Sequence, residues 1–160
     1  MPMTATPVFT QTPDVGELNS VVRTAMTNTK AFDGTETVGT AMALVFTAGA
    51  NGSRIDQITC RFTSTNGSTA SGTSSATVVR FWLNNGSANT SAANNILFGE
   101  VALPATAVTS LASSALTVYY ATLPVGGLNL PAGYRIYGGL TVAAGGTNIS
   151  IALNAIGGDY

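Results

Sequence analysis

The sequence has no histidine, a single cysteine and very little charge: six Lys and Arg and seven Asp and Glu in 160 residues, for a net charge of −1. Each shortage closes off a class of chemistry. Without histidine the chain lacks the usual general base near neutral pH and the commonest metal ligand. With Cys60 alone no disulfide forms within the chain, and its place among Ile58, Cys60 and Phe62 reads as a small buried hydrophobe rather than an activated thiol. The carboxylates Asp14, Glu17, Asp33, Glu36, Asp56, Glu100 and Asp159 follow no spacing that sets two of them as an acid–base pair. Asp33-Gly34-Thr35-Glu36 lacks the alternating oxygen ligands of a calcium loop and reads as a turn with solvated acids. No enzymatic activity, cofactor or metal is expected.

Partners are restricted in the same way. Arg23, Lys30, Arg54, Arg61, Arg80 and Arg135 are scattered, so no stripe for phosphate arises and no nucleic acid is expected. No run approaches the roughly 18 apolar residues of a membrane span. Met1 to Gly16 has neither the basic start nor the apolar run of a secretory signal, which points to synthesis in a cytoplasm without a membrane partner.

What the chain does have is apolar bulk and small polar groups: 45% hydrophobic residues against 8% charged. A surface solvated by hydroxyls and amides has little charge to repel a neighbouring copy, and edge strands ordinarily rely on charge to stay apart. The composition favours a subunit of an assembly. The length suits one domain with one core.

Residues 1–18 carry Pro2, Pro7 and Pro13 among Thr and Gln, an extended N-terminal arm suited to lying across a neighbour. Residues 19–160 then give eight candidate strands and no convincing helix. They fall at Asn19–Thr27, Glu36–Ala48, Ile55–Thr63, Thr77–Asn84, Asn95–Leu103, Leu116–Ala121, Gly133–Val142 and Asn148–Ile156. The organising stretch is Thr77–Gly86. Val79, Phe81 and Leu83 share one face and Val78, Arg80 and Trp82 the other, as in a central strand, and Asn85-Gly86 supplies a turn. In Glu36–Ala48 the larger residues Met42, Leu44 and Phe46 share a register expected to face inward. Gly138-Gly139 predicts a bulge or a close backbone approach. The stretches after Phe62 and after Gly86 lack both charge and large apolar side chains and read as mobile polar loops.

Four segments carry a resemblance: Ala48-Gly-Ala-Asn-Gly-Ser-Arg-Ile-Asp-Gln-Ile, Val79-Arg-Phe-Trp-Leu-Asn-Asn-Gly, Glu100-Val-Ala-Leu-Pro-Ala-Thr and Leu130-Pro-Ala-Gly-Tyr-Arg-Ile. Together they resemble the capsid decoration, or cement, proteins of tailed bacteriophages over Glu36 to Tyr160. The resemblance implies an eight-stranded antiparallel jelly-roll sandwich with a structural role in the virion. It also implies attachment to a major capsid protein on the outer capsid surface, and the closing of head-to-tail contacts into a homotrimer. Eight strands with long, unequal crossings suit a jelly roll better than an up-and-down barrel; an immunoglobulin-like sandwich is the runner-up.

The candidate partner contacts are Pro2, Pro7 and Pro13 in the arm, Asn66 and Asn85 in the polar loops, and Trp82 and Tyr119. The last two fall opposite the bulkiest aliphatic residues, so exposure is expected for part of the aromatic set. The same rings support a competing reading, a receptor- or glycan-binding module of a tail fibre or spike. A building block of the shell or tail is a third.

Overall fold

The computed structural model describes residues 12–14, 16, 21–27, 32–33, 36, 41–64, 72–108, 117–145 and 149–160. Their elements are β1 (Thr12–Asp14), β2 (Val21–Val22), β3 (Met42–Thr47), β4 (Ser53–Ser64), β5 (Gly72–Thr73), β6 (Thr77–Asn84), β7 (Asn95–Leu103), β8 (Ala107–Val108), β9 (Tyr119–Tyr120), β10 (Leu128–Leu130), β11 (Arg135–Leu140) and β12 (Ile149–Asp159). A single 3-10 turn, Ala92–Asn94, precedes β7, and no α-helix occurs among the described residues.

The strands form two antiparallel sheets with one core between them, a β-sandwich. The first runs β1–β12–β4–β10, with β2 also on β12 and β9 also on β4. The second runs β3–β11–β6–β7, and β5 and β8 make a small separate ladder. Inside lie Ile55, Ile58, Cys60, Phe62, Ile151 and Leu153 from the first sheet and Val45, Phe46, Val79, Phe81, Ile136 and Leu140 from the second, all buried.

Strict alternation would send Ile55 and Ile58 to opposite faces, yet both are buried. The β12–β4 register shifts at Ile156/Gly157, leaving Asp56 unpaired between Ile55 and Gln57, and this bulge turns both isoleucines inward. Gly157 makes the shift possible, because a Cβ there would collide with the Arg54 carbonyl oxygen.

β6 obeys the expected pattern. It lies between β11 and β7, with Val79 and Phe81 in the core and Trp82 on the opposite face. β3 departs from it. The β11–β3 register shifts at Ile136/Tyr137, so Ala43, Val45 and Phe46 enter the main core while Met42 and Leu44 face outward. The inward placement expected for Met42 and Leu44 is therefore corrected; residues 37–40 of the same expected strand lie outside the described ones. Outward is not exposed, however, because Met42 meets a second apolar cluster with Met26, Phe32, Trp82 and Tyr137.

The strand boundaries also differ from expectation. Among the described residues twelve strands stand where eight were expected, because β1, β5, β8 and β10 form short pairings in stretches that read as arm, loop or connection. Thr12–Asp14 belongs to the expected arm but pairs with β12, Pro13 opposite Gly158; residues 1–11 of that arm lie outside the described ones. At Gly138-Gly139 neither the bulge nor the backbone approach expected is found: both pair in regular register, and the neighbours that come close are side chains. A Cβ at Gly138 would collide with Leu153, and one at Gly139 with the sulfur of Met42.

Candidate interaction surfaces

Cys60 is the single thiol in the sequence. Cys60 lies in β4 with its side chain in the core, and burial raises its pKa from 9.0 to about 12. The neutral thiol is the form the core accepts. No thiol reagent should modify the native protein at pH 8, whereas the unfolded chain should react at once; a stoichiometric reaction without unfolding would place Cys60 at the surface. The sign for stability follows from the same shift. It is unaffected below about pH 9 and declines between pH 9 and 12, where only the unfolded chain ionises readily. Among the described residues no three of His, Cys, Asp and Glu gather as a metal site would require.

Part of the second sheet's outer face is covered by the chain itself. After β2 the backbone passes the end of β11, where the Met26 amide donates to the Leu140 carbonyl at 2.9 Å. Met26 and Phe32 then roof Met42, Trp82 and Tyr137. The Phe32 ring lies 4.9 Å from that of Tyr137 and 6.3 Å from that of Trp82, both tilted, the arrangement that ring quadrupoles favour. Trp82 is left 1% exposed. Its register was legible, but its availability to a partner is corrected: the indole is part of an internal cluster. The signal for this was Met26 and Phe32, two large apolar residues in an otherwise polar connection.

At the end of the sandwich where β6 passes to β7, an asparagine network replaces the mobile loop that composition suggests. The Asn95 side-chain amide donates to the carbonyls of Phe32, Asn89 and Ser91 at 2.9 to 3.0 Å, while its oxygen accepts from the buried Asn84 at 2.8 Å. Asn84 in turn accepts from the Gly86 amide at 3.0 Å. Asn85 is exposed, and its oxygen accepts from the Ser87 amide at 3.0 Å, so this residue closes the turn. The loop and the covering segment are thereby fastened to the same strand end.

The first sheet's outer face is open in part: Ser150 is buried on it, but Val118, Tyr120 and Ile156 are exposed, Tyr120 to 59%. A shallow cleft of about 270 Å³ opens between Thr59, Arg61, Val118, Ala152 and Asn154. Tyr119 pairs opposite Cys60 and Tyr120 opposite Thr59, so successive tyrosines point to opposite faces. Tyr119 is half-buried against the core and Tyr120 is the ring that faces out, so the exposure expected for Tyr119 is corrected: pairing opposite the inward-facing Cys60 turns Tyr119 in and puts Val118 and Tyr120 on the outer face.

Two further apolar features are exposed. β7 is an edge strand with Ile96 at 65% and Leu97 at 40% exposure. Beyond it, at the opposite end of the sandwich from the asparagine network, an apolar groove of about 390 Å³ is lined by Val78, Ala102, Pro104 and Val142 among others. Of the other candidate contacts, Pro2, Pro7 and Asn66 lie outside the described residues, and Pro13 is placed in β1. No family model, curated protein or solved structure matches the chain.

Proposed function

We propose that this chain is a non-enzymatic virion protein of a tailed bacteriophage, a capsid decoration protein that binds the outer shell and braces adjoining subunits. The carrying observation is an asymmetry. One sheet has part of its outer face covered by the chain's own Met26 and Phe32, while the other leaves Val118, Tyr120 and Ile156 uncovered. Apolar side chains left open on one sheet by a chain that covers those on the other give a surface suited to a second protein. This open part of the first sheet is the capsid-facing side in this reading.

The jelly-roll reading is supported by the two strand orders. Taking β1 with β2 as one interrupted strand and β9 with β10 as another gives eight positions in two four-stranded sheets. Except between β6 and β7, successive positions lie in opposite sheets, as a folded-over pair of Greek keys requires. Such a scaffold braces a shell by added burial. Each copy contributes a modest interface, and copies linked to one another, in a three-fold cluster, hold on with an avidity none has alone.

The test is co-sedimentation of the purified protein with undecorated capsids, alongside a glycan array. Saturable binding to the capsids is expected, and Tyr120→Asp should abolish it without lowering the melting temperature. Clear glycan binding with no attachment to shells would reject the proposal in favour of a fibre or spike module. Tyr120 beside the polar cleft of Thr59, Arg61 and Asn154 is the feature that would serve that alternative.

A further inference from the structure

We infer that copies of this chain join head to tail, the turn tip at Val125 of one copy seating in the apolar groove at the far end of the next. The inference rests on the self-association in the proposed function and names the surfaces that make it.

The tip is the turn Pro124 to Gly127, closed by the Gly127 amide donating to the Pro124 carbonyl at 3.0 Å. Gly126 and Gly127 adopt φ of 88° and 87°, which fixes the bend and leaves Val125 projecting with 108% exposure. Polar residues are the usual occupants of such tips, since the turn asks nothing of an aliphatic side chain. An isopropyl group presented in this way, between a proline and two glycines, is a small uncharged knob.

The groove has a floor to match. Val78, Ala102, Pro104 and Val142 line it, and its hydroxyls are turned to the backbone. Thr77 Oγ1 donates to the Val142 carbonyl at 2.7 Å and accepts from the Val142 amide at 3.1 Å. Thr141 Oγ1 accepts from the Val78 amide at 3.2 Å. With these polar atoms satisfied, the surface gains nothing from holding water and is suited to an apolar guest.

Charge fits as well. The knob stands beside an exposed ion pair, Arg54–Asp56 at 2.7 Å, close enough that a Cβ on Gly127 would lie 3.2 Å from both side chains. The groove stands beside another, Arg80–Glu100 at 2.7 Å, two residues along β6 and β7 from Val78 and Ala102. A strand advances about 7 Å in two residues, so the Arg80–Glu100 pair sits one side-chain step from the groove. On docking, the guanidinium of each pair can face the carboxylate of the other.

Knob and groove lie at opposite ends of the sandwich. Leu128, next to the turn, pairs with Ile55 near the start of β4, on the side of the β3–β4 connection, where Thr47 pairs with Arg135 and Arg135 with Asn84. The groove surrounds Thr77 and Leu103 at the other end of β6 and β7. Each copy can therefore accept one neighbour and offer itself to another. One valine gains little against the cost of free association, so between free copies the contact forms in short-lived encounters that a disulfide can trap, and it fills fully when copies are held side by side on a shell.

Cross-linking of full-length chains tests this, because buried Cys60 stays silent and reports that each variant is folded. A Val125→Cys chain is mixed with a size-tagged Ala102→Cys chain and oxidised. The disulfide between them should form about tenfold faster than between Val125→Cys and a tagged Tyr120→Cys chain, whose cysteine is equally open but sits on the other sheet. Adding Asp56→Lys to the first chain should slow the reaction, and Arg80→Glu in the second should restore it. Equal rates for the two mixtures, or no restoration by the second charge, would overturn the inference. No capsid is present, so that outcome leaves attachment to shells to its own co-sedimentation test, and failed attachment would leave a positive cross-link standing.

Discussion

Truncating either Trp82 or Phe32 to alanine should lower the stability of the isolated chain by about 3–5 kcal/mol, the range for large aromatic side chains removed from a packed interior. For Trp82 the effect follows from 1% exposure in the cluster with Met42 and Tyr137. For Phe32 it is the more telling result, because this residue belongs to neither sheet and reads in the sequence as part of a polar connection. Since the two rings face each other at 6.3 Å, the double variant should cost less than the sum of the single ones. Denaturant midpoints with unchanged slopes would measure all three. A Phe32→Ala chain within about 0.5 kcal/mol of the parent, the usual range for surface substitutions, would mean that the segment does not roof the sheet.

Asn95→Ala should have the second large effect, about 2–4 kcal/mol, since buried polar groups lose their partners together. The carbonyls of Phe32 and Asn89 lose this donor, the Ser91 carbonyl keeps only the Asn94 amide, and the buried Asn84 amide keeps only its longer bond to the Asn94 carbonyl at 3.4 Å. Asn95→Asp separates the two roles, because a carboxylate still accepts from Asn84 but cannot donate to three carbonyls. It should be as damaging as alanine or worse. Limited proteolysis gives the local readout: both variants should be cut between Ser87 and Asn94 well before any global unfolding, and the parent should not. Equal resistance in all three would remove the network as the reason that loop is held.

The sandwich was legible because alternation survives wherever a strand is unbroken. Val79, Phe81 and Leu83 against Val78, Arg80 and Trp82 gave the central strand and its two faces without error. What alternation cannot register is an unpaired residue. The shifts at Ile136/Tyr137 and Ile156/Gly157 exchange inside for outside part-way along a strand, which is why Met42 and Leu44 were assigned to the wrong side of their sheet. Nor does it tell whether a second face is wet. Trp82 was placed on the correct face and wrongly supposed available, since what covers it comes from a distant stretch in which Met26 and Phe32 are separated by polar residues. Composition misled in the same way around Asn85 and Asn95, where amide-rich sequence suggested a mobile loop but the amides bond to one another.

β12 is flanked by β4 on one side and by β1 and β2 on the other, so Asp159 sits across from Thr12 and also from Ser53. A ribosome reading this message therefore delivers three strands whose shared partner has yet to be translated. Closing such distant ends carries its entropic cost before the ladder repays it, so maturation is slow and follows synthesis. In the interval those strands have bare hydrogen-bonding edges in a crowded cell, and bystander copies or chaperones compete for them.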